Sequence, residues 1–188
     1  MKTVVLTVIL IVTFNSDPQE KNVAETPHNE IKLNAFNLVV YQAIDLSYEY
    51  LQHENHTSGL GIFFKVNSAV PQDIPFRPEV DTNRNFSVTS YYRRYFSKKY
   101  AKGFFMEGFG MLSAGKFFTS IPTEDMFEKF TSESYAIFRF GLTTGVKVVS
   151  KKGFAIDIYF GVGTTPKRNV MSDIELVSRG GVSFGYRF

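Results

Sequence analysis

The chain has 188 residues, a formal net charge of +3 and no cysteine. That length suits one domain, the missing thiols exclude disulfides, thiolate zinc sites and a lipid-anchoring cysteine, and so small a charge excess, with no long basic run, gives no case for nucleic acid. Aromatic residues reach 16%, all Phe and Tyr, beside 14 glycines, a mixture that favours strands, bulges and tight turns over helices.

Met1-Lys2 precedes an apolar run over 4–14 and then Asn15-Ser16-Asp17-Pro18. A membrane-crossing helix needs ~20 residues, so the run fits the core of a secretory signal instead. Residues 1–16 are therefore expected to be a signal peptide, cut near Ser16 or near Ala24, although no clean pair of small residues marks the site. Losing Lys2 with it leaves +2 on the mature chain. Residues 17–29, polar with two prolines, are expected to form a flexible leader, and 30–188 the folded domain. The absence of another long apolar stretch excludes a helical membrane protein, but not one that crosses with strands.

Eight segments read as strands: 30–38, 42–51, 58–67, 85–96, 103–114, 134–149, 153–163 and 176–188. Several alternate cleanly. Ile44, Leu46, Tyr48 and Tyr50 oppose Asp45, Ser47 and Glu49; Phe154, Ile156, Ile158, Phe160 and Val162 oppose Ala155, Asp157, Gly161 and Gly163. In the last strand Val182, Phe184, Tyr186 and Phe188 alternate with Gly181, Ser183, Gly185 and Arg187. The fifth is ambiguous, because placing Glu107 inward carries Phe105, Phe109 and Met111 inward too and leaves Gly108 and Gly110 outside. Links alternate in length: 52–57, 97–102 and 150–152 are short, whereas 68–84, 115–133 and 164–175 are long. An antiparallel up-and-down transmembrane β-barrel of about eight strands predicts this, with short periplasmic turns and long external loops. The link over 37–41 is the exception, being short and apolar where an external loop is expected.

If the apolar rows face lipid, the opposite rows fill the lumen with Lys32, Asp45, Glu49, Lys65, Arg93, Glu107, Arg139, Asp157 and Arg179. An eight-stranded barrel is just wide enough for side chains, and unpartnered buried charges are costly. These ions are therefore expected to pair into a plug, not to line a diffusion pore. Tyr48, Tyr50, Tyr91, Tyr92, Tyr95 and Phe96 are expected to form an interfacial aromatic girdle.

Catalysis finds little support. His28 falls in the leader, while His53 and His56 share one polar turn, so no strand carries a histidine to serve as a general base on lipid. No metal site, cofactor or catalytic residue is expected. The basic patches Ser97-Lys98-Lys99-Tyr100-Ala101-Lys102 and Ser150-Lys151-Lys152-Gly153 read as solvated periplasmic turns.

The segments Asp45-Leu46-Ser47-Tyr48-Glu49-Tyr50 and Ser90-Tyr91-Tyr92-Arg93-Arg94-Tyr95-Phe96, with the glycine-rich strands ending Gly185-Tyr186-Arg187-Phe188, resemble an uncharacterised family of small bacterial outer-membrane β-barrels, a domain of unknown function. The resemblance implies a Gram-negative outer-membrane barrel without an assigned activity. The closing strand, Val182, Phe184, Tyr186 and Phe188, also resembles the assembly signal of such barrels. Outer-membrane lipid and the barrel-assembly machinery are then the expected partners, both termini are expected in the periplasm, and the role is structural or one of surface contact through the long loops. A narrow solute channel or carrier, and a secreted lipocalin-like binder, are the alternatives.

Overall fold

A computed structural model of the chain describes residues 27–66, 84–121, 129–166 and 176–188. Eight strands follow one another around a closed antiparallel up-and-down barrel: β1 (Asn29–Asn34), β2 (Ala43–Leu51), β3 (His56–Lys65), β4 (Arg84–Tyr95), β5 (Gly103–Ile121), β6 (Lys129–Val149), β7 (Phe154–Thr164) and β8 (Leu176–Arg187). The expected signal peptide, most of the leader and most of the three long links lie outside the described residues. The end of the leader is part of the wall: Asn29 opens β1, and the Leu51 amide donates to the His28 carbonyl at 2.7 Å.

Strand period two sets the facing, interrupted on β4 by a register shift between Arg84 and Phe86 that leaves Arg84 and Ser87 both inside. Ile44, Leu46, Leu60, Ile62, Phe64, Phe138, Phe140, Leu142, Ile158, Phe160 and Phe184 stand exposed on the outer wall, while their polar neighbours turn inward. On β5 the ambiguity resolves with Glu107, Phe105, Phe109 and Met111 buried inside. Gly108 and Gly110 are outside, and a Cβ on Gly108 would meet nothing within 4 Å.

Three sequence expectations are corrected. Residues 35–38 do not continue the first strand. They belong to a short helix, α1 (Ala35–Val40), started by the Asn34 side chain, which accepts the Asn37 amide at 3.2 Å. That N-cap prevails over the β-branched Val39-Val40 pair. The link over 115–133 is largely strand: β5 and β6 stay paired out to Ile121↔Lys129, well past the last partners that β4 (Arg84↔Gly115) and β7 (Phe140↔Thr164) supply. Finally, His56 opens β3 and does not sit in the turn. It stacks on Tyr92, whose hydroxyl lies 2.8 Å from its Nδ1.

Seams differ in length. Most run through nine or more residue pairs, but β1 is short on both sides: it meets β2 only from Asn29↔Tyr50 to Leu33↔Leu46 and β8 only from Glu30↔Arg187 to Asn34↔Ser183. Helix α1 lies against β2 and β8 above that point. At the opposite end the barrel is corked by the β4–β5 turn, where Ala101 is fully buried and its amide donates to the Glu54 carbonyl at 2.7 Å.

Gly59 shows how tightly the lumen is filled. A Cβ there would lie 2.2 Å from Tyr91 Cζ and 2.7 Å from the Tyr48 carbonyl oxygen. Over-packing of this kind costs ~1–3 kcal/mol, so Gly59→Val should lower the urea midpoint of the refolded barrel. Gly108→Val, facing open space, should leave the midpoint in place. Equal effects from the two would refute this packing.

Candidate functional site

The interior holds a charge network to which all eight strands contribute. Glu30 and Lys32 come from β1, Glu49 from β2, Thr57 from β3, Arg93 from β4, Glu107 from β5, Lys147 from β6, Asp157 from β7, and Arg179 and Arg187 from β8. Each side chain stands at an inward register position, so the cylinder converges charges that are far apart in sequence.

At the corked end, Arg187 donates from Nε to Glu30 Oε2 at 3.0 Å and from its terminal nitrogens to the Tyr100 and Ala101 carbonyls at 3.2 and 2.9 Å. The turn is thereby fastened to the wall. Lys147 Nζ then bridges Glu30 (2.7 Å) and Glu49 (2.9 Å). Lys32 Nζ donates to Glu49 and also to Asp157, the latter at 3.0 Å. Arg93 spans the centre, with Nη1 at 2.5 Å from Asp157 and 3.2 Å from Glu49, and Nε donating to Glu107. Arg179 completes the chain from the other side of Glu107.

Glu49 is the hub. Besides three cations, its Oε1 accepts the Thr57 hydroxyl at 2.7 Å and the Tyr95 hydroxyl at 2.9 Å. Aromatic faces wall in the guanidiniums: Arg93 lies 4.2 Å from the Phe105 ring centroid and 4.9 Å from that of Tyr91. Arg179 lies over Phe109 at 5.2 Å and Tyr159 at 5.4 Å. Contacts of this type add to the ion pairs when desolvated.

Of the nine residues that the sequence places in the lumen, Lys32, Glu49, Arg93, Glu107, Asp157 and Arg179 meet in this network. The other three lie nearer the far mouth. Asp45 accepts from Asn37 at 2.5 Å and from Asn34 at 3.2 Å. Arg139 donates to Ser113, and Lys65 is half-buried opposite Ala43. Sequence reading missed Glu30, Lys147, Arg187 and Arg84. All but Arg84 continue the inward rows of named residues: Glu30 two before Lys32, Lys147 eight after Arg139, Arg187 eight after Arg179. The girdle is corrected too, since Tyr91 and Tyr95 point inward beside Arg93. Tyr48, Tyr50, Tyr92 and Phe96 remain outside, with Phe104, Phe154, Tyr186 and Phe188.

Among the described residues, Glu30, Glu49 and Asp157 form a carboxylate cluster of a size that could hold a cation. Lys147 and Lys32 already sit between those oxygens as ammonium counterions, so the cluster is a set of ion pairs.

No protein-family model matches the chain, and no curated protein matches it. Among solved structures it is similar to the N-terminal β-barrel domain of Pseudomonas aeruginosa OprF, at 10% identity, over 86% of this chain and 98% of that one, with a TM-score of 0.49.

Losing one member of a buried ion pair costs ~3–5 kcal/mol. Glu49→Gln leaves Lys32, Arg93 and Lys147 short of a countercharge, so it should destabilise the refolded barrel by that order in urea titration. Asp45→Asn, held by two amides outside the network, should cost less than about 1 kcal/mol. The reverse ranking would displace Glu49 from the centre of the plug.

Proposed function

We propose that the protein is an integral outer-membrane barrel whose plugged interior makes it a structural or surface-contact element of the Gram-negative envelope. One observation carries this: apolar residues cover the outside, while the ions are buried within. A soluble barrel is built the other way round. Strands of ~9–11 residues cross a membrane, a length that β2, β3, β4, β7 and β8 match or slightly exceed. Outward Tyr48, Tyr50, Tyr92, Phe96 and Tyr186 gather at the end with the short turns, where an aromatic belt would meet the headgroups.

In this reading the short turns and both chain ends face the periplasm, and outer-membrane lipid and the assembly machinery are the partners. Val182, Phe184, Tyr186 and Phe188 present the closing strand to that machinery. The lumen ions are consumed in mutual pairing, which supports a closed plug over a conduit and a non-catalytic role over an enzymatic one. The β5–β6 ladder, continuing beyond its neighbours, is the element best placed for contact outside the cell.

Purification should require detergent, and the folded protein should run differently on gels before and after boiling. In planar bilayers the unaltered chain should give no steady openings, and the double variant Arg93→Ala/Glu107→Ala should introduce small ones. Sustained conductance from the unaltered chain would replace this reading with a solute channel.

A further inference from the structure

The corked end of the barrel carries charge that the plug does not use. Its short turns hold Lys98, Lys99 and Lys102 between β4 and β5, and Lys151 and Lys152 between β6 and β7; the turn between β2 and β3 holds the acid Glu54. Lys98, Lys99, Lys151 and Lys152 are exposed, and Lys102 is half-buried. Among the described residues, none of these five side chains forms an ion pair. Arg187 lies close by, but Glu30 already answers it at 2.9 Å.

The two lysine turns are neighbours, because β5 pairs with β6 from Gly103↔Lys147 onward. Between them lies a cavity of about 540 Å³, bordered by Lys99, Tyr100 and Lys102 from one turn, Lys151 and Gly153 from the other, and Arg187. Its lining contains no acidic side chain. Burial, and then the charges of Lys99 and Arg187, push the Lys102 pKa down, as expected where cations crowd with no anion between them. The volume falls within the ~300–1,000 Å³ of small-ligand sites, and ammonium groups suit phosphate as point charges.

What adjoins the lysines selects the kind of anion. On the outer wall the same stretch of β5 and β6 presents Phe104, Val146 and Val148, all exposed, with Phe104 paired across from Val146. Phe104 also meets Phe96 at the foot of its turn, ring centroids 5.8 Å apart, and Phe154 meets Tyr186 at 5.5 Å. Each lysine turn is therefore footed on outward aromatics, the residues that mark headgroup depth on a membrane barrel. Lys98 follows Phe96 by two residues and Lys102 precedes Phe104 by two. A soluble acid would meet the charge alone, whereas an amphiphile meets charge and apolar wall together.

We propose that the two lysine turns bind the phosphodiester headgroup of an anionic phospholipid from the adjoining leaflet, with Lys99, Lys102 and Lys151 as its counterions and its chains against Phe104, Val146 and Val148. The inference rests on the proposed lipid-facing wall. It gives a ligand to turns that the sequence alone reads as solvated.

The chain contains no tryptophan, so Phe104→Trp supplies a sole indole beside the lysine turns, and Tyr50→Trp one at the same end beside the turn of Glu54. Each full-length variant is reconstituted in phosphatidylcholine vesicles with rising mole fractions of phosphatidylglycerol brominated high on one acyl chain, or of phosphatidylcholine brominated alike. At Phe104→Trp the anionic lipid should bind about tenfold more tightly than the zwitterionic one; at Tyr50→Trp the two should quench alike. Adding Lys99→Gln, Lys102→Gln and Lys151→Gln should bring the Phe104→Trp ratio close to one. Retained heat-dependent gel mobility would show that this variant folds, and the comparison of the two indoles tests the site without it. Equal quenching by both lipids at Phe104→Trp, an equal preference at both indoles, or a preference that survives the glutamines would overturn the site. A preference that inorganic phosphate abolishes, and chloride at the same ionic strength does not, would assign a soluble phosphate instead. If brominated phosphatidylcholine quenches neither indole, the wall does not face lipid, whereas quenching by it without an anionic preference removes the headgroup site alone.

Discussion

An eight-stranded cylinder leaves its inward side chains nowhere to go except against one another. With period-two alternation fixing which residues point in, the fold demands that inward charges neutralise locally, since several kcal/mol per ion is at stake. Glu49 meets that demand by accepting from Lys32, Arg93 and Lys147 together with Thr57 and Tyr95. Aromatic faces line both Arg93 and Arg179, and the Arg93 pairs are almost fully buried. Packing and electrostatics are therefore one constraint in this lumen.

The same constraint explains what could be read in the sequence. Alternation in β2, β3, β7 and β8 gives both the strands and their facing, because a one-residue slip would turn each ion to the outer wall. Six of the nine lumen residues named from it lie in one network. Where alternation fails, so does the reading. On β5, aromatics and glycines exchange their usual sides, and only the pairing with β4 and β6 settles Glu107. Tyr91 and Tyr95 look like interfacial residues by type, yet share the parity of Arg93. Composition outweighed position there.

Two further features depend on contacts that a linear reading does not weigh. Asn34 and Asn37 have the spacing of a helix cap, but the apolar run around them continues a strand pattern, and α1 was legible only in the bond between the two. The short β1–β8 seam joins the opposite ends of the barrel sequence, so no local pattern reports it. Glu30, Lys147 and Arg187 were visible in principle, because they extend rows whose other members were named.

That seam also governs how the molecule comes into being. Glu30 reaches Arg187, and Lys32 reaches Asp157, only once first and last strands touch. Before closure, an open sheet would present unmatched ions to whatever surrounded it. Zipping the final edge and cancelling the charge are then a single event, and halfway-closed species are selected against by the very groups that later hold the cylinder shut.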